Sequence, residues 1–153
     1  DREPAAGTDA YGKGGPWLAD GARLDDDVFF SAPRSLRLDC TGKFLYVPQY
    51  LRTKKLKPDT RYRISFFVKG RDLRPLLYRD GGACIELNDG GGRHWMRHPW
   101  PYLFGTFDWM GLRFELKTGK DAKKMAEHGF VCLRIINATR TAWFDDIRVE
   151  EIP

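Results

Sequence analysis

Histidine is scarce, three in 153 residues, and no Ser elbow, HExxH pair, glycine-rich phosphate loop or Cys/His pattern accompanies it. That leaves thin material for acid–base or nucleophilic catalysis, so an enzyme is not the first expectation. Cysteine is equally sparse: Cys40, Cys84 and Cys132 stand far apart with no metal-ligand spacing, so a zinc site is not expected. Each lies in or at the end of an apolar run, where a packed thiol is expected, with one disulfide and a leftover thiol as the alternative. No Lys/Arg block occurs among 26 basic and 21 acidic residues, so the net charge of +5 permits an anionic partner without indicating nucleic acid. No apolar run is long enough for a membrane span or a signal peptide, and the chain opens on Asp1, so we read it as a piece of a longer or processed protein. A long amphipathic helix is missing too: Asp121 to His128 alone has helical composition, enough for one or two turns.

What the chain does contain is a succession of short alternating segments. Leu36, Leu38 and Cys40 fall on one side of a strand and Ser35, Arg37 and Asp39 on the other. The clearest example is Arg61 to Lys69, where Tyr62, Ile64, Phe66 and Val68 oppose Arg63, Ser65, Phe67 and Lys69, and Gly70 is expected to end the strand. Similar runs cover Phe44–Leu51, Ala83–Leu87, Leu112–Leu116, Phe130–Ile136 and Trp143–Ile152. Turn residues separate them roughly every dozen positions, so an all-β antiparallel sandwich is expected over residues 17–153, preceded by a linker or irregular edge over 1–16. Trp17, Trp109 and Trp143 are assigned to packing, the last two because they stand at strand starts in phase with core residues.

One stretch breaks the plan. Gly92 to Trp109, GRHWMRHPWPYLFGTFDW, crowds rings and cations between glycines, and Pro99 and Pro101 exclude a regular central strand. Flat aromatic faces beside charged hydrogen-bond groups are what a sugar ring requires, with its C–H face on one side and hydroxyls around the rim. Trp95, Trp100 and Tyr102 are the expected platforms, and Arg93, His94, Arg97, His98, Asn88 and Asp89 the expected rim. Tyr46 and Tyr50, opposite Val47 and Leu51, are expected to extend the platform across a sheet. Arg71, Arg74, Arg79, Arg93 and Arg97 bracket this loop and suggest a uronate or sulfated glycan.

Three stretches together resemble a known family: ARLDDDVFFSAPRSLRLDC at 22–40, LKPDTRYRISFFVKG at 56–70 and TAWFDDIRVEEI at 141–152, with FGTFDWMGLRFELKTG at 104–119 similar to a further strand. The family is the β-sandwich carbohydrate-binding modules of the family 4, 9 and 22 type, galactose-binding-domain-like jelly rolls. The resemblance implies a non-catalytic, monomeric module that binds polysaccharide and targets a linked glycoside hydrolase or polysaccharide lyase, in a secreted or cell-surface parent, with no nucleic acid and no membrane insertion. A structural accessory domain without glycan binding is the alternative. The resemblance also implies a structural calcium held by Asp145, Asp146 and the backbone of Ser31, near the turn before SLRL. Read from the residues alone, Asp145 shares a face with Ile147 and Val149 and points inward, where it must meet either a cation or loop amides.

Overall fold

The computed structural model describes residues 21–41, 46–51, 56–76, 80–88, 94–121, 123 and 130–153. Nine strands follow one another: β1 (Ala22–Asp25), β2 (Ser35–Cys40), β3 (Tyr46–Leu51), β4 (Arg61–Pro75), β5 (Gly82–Asn88), β6 (His94–Leu103), β7 (Gly105–Lys117), β8 (Phe130–Ile136) and β9 (Ala138–Ile152). They form two antiparallel sheets, a five-stranded one in the order β1-β2-β9-β4-β7 and a four-stranded one in the order β3-β8-β5-β6. The inner faces meet in one core. Leu36, Leu38, Ile64, Phe66 and Val68 from the first sheet and Ala83, Ile85, Leu87, Leu133 and Ile135 from the second are fully or almost fully removed from water. Period-2 alternation explains this directly, since each inward residue alternates with one that leaves the core. This is the expected all-β antiparallel sandwich.

Four local expectations need correcting. β4 does not stop at Gly70 but runs on to Pro75. Gly70 is required by a close approach instead: a Cβ there would lie 2.4 Å from the Phe107 ring, which packs over that strand onto the core. The second correction concerns β9. Ser65 pairs with Arg148 and Phe67 with Asp145, so two residues of β9 oppose one of β4, and Asp146 takes φ 47° to make the bulge. A bulge shifts the phase of everything beyond it. Ile147 and Val149 therefore face the core while Trp143 and Asp145 face out of the sandwich; Phe144 takes the core position.

Trp109 is likewise on the outer side of the five-stranded sheet, half-buried and tilted against Phe30 with ring centroids 6.1 Å apart. It shares parity with Arg113 and Glu115 and not with Leu112 and Phe114, because β7 pairs Met110 with inward Val68. The fourth correction is that the aromatic stretch is no loop but contains strand β6, at the edge of the four-stranded sheet. All three cysteines are free and buried. Most of Asp121–His128, along with residues 1–16 and Trp17, falls outside the described residues.

Candidate functional site

β6 is the edge strand on which the candidate site is built, and its two prolines explain its shape. His98 pairs with Ile85 and Leu103 with Ala83, so residues 99–102 stand opposite the single residue Cys84. Pro99 and Pro101 have no N–H to give to a ladder, and an edge is where a sheet tolerates that loss. The segment leaves the sheet and turns Trp100 out to 62% exposure. Trp100 is not loose: its ring meets Tyr102 edge-to-face, centroids 5.1 Å apart at 79°. Tyr102 is only 7% exposed, so it is the support beneath Trp100 and not a second open platform.

Beneath that pair lies a charged network. The Tyr102 hydroxyl accepts a 3.0 Å hydrogen bond from Arg97 Nη1, and Arg97 Nε donates to Glu86 Oε2 at 2.7 Å. Arg134 Nη2 lies 3.3 Å from the other oxygen, Glu86 Oε1, and its Nε donates to Cys132 Sγ. Glu86 is 1% exposed, and a carboxylate so placed must be matched by cations and donors. Burial opposes the charge on Arg97, but its bonds to Glu86 and Tyr102 outweigh that and raise its pKa above the ordinary value. Cys84, on the same face, is pushed up to about 12 by burial and stays a thiol.

The ladder carries this network across the sheet. Tyr50, Cys132, Glu86 and Arg97 occupy one cross-strand row on β3, β8, β5 and β6, and Tyr46 is four residues from Tyr50 at the position paired with Ile136. Three strand spacings separate the two ends of the row, about 14 Å. Tyr46 and Tyr50 thus hold register positions in phase with that row, and Arg97 meets Glu86, which Arg134 also contacts, a pair that sequence reasoning passed over. The signal for that pair was one acid in ACIEL and one base in FVCLRII, opposite charges set singly in apolar strands.

Other expected residues go elsewhere. His98 turns inward and stacks on Phe114 of the other sheet, centroids 4.7 Å apart at 25°, which makes it a wedge at the open edge of the sandwich and not a rim donor. The side chains of His94, Trp95, Asn88, Tyr46 and Tyr50 lie outside the described part of the structure, as do Arg93, Asp89 and Arg79 altogether. Arg71 does not join this site, since its guanidinium stands 5.1 Å from the Trp143 ring on the outer face of the other sheet.

The calcium expectation concerns Asp145, which is 1% exposed. Its Oδ2 accepts from the Phe30 and Ser31 amides at 3.0 and 2.8 Å, and its Oδ1 from the Asp146 amide at 2.6 Å. Ser31 thus presents an N–H to the carboxylate. Asp146 turns its own carboxylate to Arg148, 3.3 Å away. Groups whose positive ends face a carboxylate are the wrong poles for a cation, and among the described residues no three His, Cys, Asp or Glu side chains converge as a metal site. These residues do not fit a calcium cage, and the geometry is that of a carboxylate holding a loop.

No family model matches the chain, and no curated protein matches it either. Solved structures do. A family 16 carbohydrate-binding module shares 20% identity over 88% of each chain with a TM-score of 0.52. The CBM22-1 xylan-binding domain of Paenibacillus barcinonensis Xyn10C shares 14% identity over 98% of each chain with a TM-score of 0.55. The fold is that of the carbohydrate-binding β-sandwich modules. It is not theirs alone: a cyclase from Fischerella sp. TAU shares 16% identity over 80% of this chain and 66% of its own, with a TM-score of 0.53. Fold alone therefore does not assign an activity, and the function has to be argued from the site.

Proposed function

We propose that the chain binds a polysaccharide strand at the Trp100 edge of the four-stranded sheet, and that it does so without chemistry of its own. The observation that carries this reading is Trp100, exposed yet fixed edge-to-face on a buried Tyr102 that Arg97 and Glu86 hold in place. A rigid ring presented to water loses little freedom on binding and offers an apolar face to a sugar. Beside Trp100 the partly exposed Arg97 adds hydrogen-bond donors for the hydroxyls at a sugar's rim. The carbohydrate-binding modules that share the fold support the same reading. Single sugar contacts are weak, so the natural use of such a face is to tether a linked polysaccharide-degrading domain, in a secreted or cell-surface parent, to its substrate.

Affinity electrophoresis through gels containing xylan or β-glucan tests this. The wild type is retarded by at least one polymer, and Trp100→Ala loses roughly tenfold or more of that affinity, on the order of 1.4 kcal/mol. Unchanged retardation in Trp100→Ala removes Trp100 from the site. A wild type that passes every gel unretarded leaves the domain a structural accessory.

A further inference from the structure

The opposite face of the sandwich carries features that the proposed function does not use. The loop between β1 and β2 is fixed at three points. Asp25 Oδ1 accepts from the Asp27 and Val28 amides, the buried Ser35 hydroxyl donates to the Val28 carbonyl, and Asp145 accepts from Phe30 and Ser31. What this bracing presents is a phenyl ring: Phe30 is 46% exposed and stacks on Phe67 with centroids 3.6 Å apart at 12°. Phe67 lies flat because its neighbour on β7 is Gly111, where a Cβ would come within 2.9 Å of the ring. A solvated aromatic stack with three separate anchors under it is not a packing remnant, because the core gains nothing from it.

The next cross-strand row, one step along the same outer face, is Arg148–Ser65–Arg113 on β9, β4 and β7. Beyond it Arg63 is flanked in the ladder by Glu150 and Glu115 and binds the latter at 2.8 Å. Arg148 meets Asp146, while Arg113 stands exposed with its charge felt by Glu115, whose pKa Arg63 and, to a lesser degree, Arg61 and Arg113 lower. Phe67, Gly111, Ser65, Arg113, Arg148 and Glu150 line a shallow groove of about 570 Å³.

We propose that this groove is a second glycan site, on the face opposite the first, and that it takes a strand bearing carboxylates. The Phe30–Phe67 stack meets a sugar ring face, and the exposed fork of Arg113, with Arg148 across Ser65, receives a uronate carboxylate; Glu150 accepts from hydroxyls. The proposal rests on the reading of the chain as a polysaccharide binder. Asp145 then acquires a role that needs no metal: it positions the loop that carries the platform.

The test is isothermal titration of the wild type, Trp100→Ala, Phe30→Ala and Arg113→Gln with hexagalacturonate and with xylohexaose, each variant first shown to keep its melting temperature. Hexagalacturonate affinity falls at least fivefold in Phe30→Ala and in Arg113→Gln, survives in Trp100→Ala, and weakens as salt rises from 50 to 500 mM, roughly a threefold change in Debye length. If hexagalacturonate binds but only Trp100→Ala weakens it, the second site is wrong and the first stands. If neither sugar binds the wild type, both readings fall. Sedimentation that shows a dimer abolished by Phe30→Ala overturns the glycan assignment in favour of a second copy on this face. Should Phe30→Ala unfold, Phe30→Leu and Arg113→Gln carry the test.

Discussion

Asp25 shows how a single residue's environment becomes a pH dependence. Burial raises its pKa, but the Trp143 indole N–H at 2.8 Å, the Val28 and Asp27 amides and Arg37 outweigh burial, and the net value lies below the ordinary 3.8. The folded protein therefore holds fewer protons here than the unfolded chain, and the stabilisation is full above the ordinary value and lost as pH falls through the folded one. Asp25→Ala should lower stability at pH 7 by roughly 1–3 kcal/mol, the cost of stranding buried donors. The gap to the wild type should close as melts are taken toward pH 3; a gap that stays constant would mean that Asp25 is not ionised in the fold. His98 has the same sign of pH dependence for a different reason, since burial against Phe114 lowers its pKa from 6.5 and favours the neutral ring. Unfolding then takes up a proton, so stability should fall as pH drops through 6.5 toward the folded value, and His98→Gln should flatten denaturant midpoints measured across that window.

At the scale of strands, the two irregularities that shape the molecule are a glycine and a bulge. Gly70 lets the Phe107 ring cross β4, so Gly70→Ala should cost about 1–3 kcal/mol by overpacking, read as a lower denaturant midpoint with an unchanged slope. An unaffected midpoint would show that Phe107 swings away freely. The bulge at Asp146 matters more for function. It turns Trp143 and Asp145 from the core to the outer face, where Trp143 is sealed at 1% exposure by the guanidiniums of Arg37 and Arg71, each just over 5 Å from its ring. The excursion in β6 does the reverse, taking Trp100 out of a ladder that prolines cannot complete.

For the molecule as a whole, the outer faces of the two sheets differ chemically. Around Trp100 on the four-stranded sheet, Glu86 and Arg134 are buried and Arg97 is partly exposed, whereas the five-stranded sheet exposes the Phe30 stack beside Arg148 and Arg113. Because Asp145 is filled by three amide donors, the melting temperature should be the same in excess calcium chloride and in excess EDTA. A calcium-dependent rise of several degrees would show that a calcium ion is held here after all.

The alternation in β2, β4, β7 and β8 was legible because period-2 burial is written residue by residue, and it determined the sandwich and its core. The candidate site was legible in part: Trp100 and Arg97 stood out in a stretch unlike any other, whereas Glu86 and Arg134 were single charges whose partners lie on other strands. Tertiary structure alone decided where Trp143, Asp145 and His98 point. A bulge or a proline excursion shifts phase by one residue, and nothing in local composition records that shift; it is fixed by which residues of the neighbouring strand stand opposite.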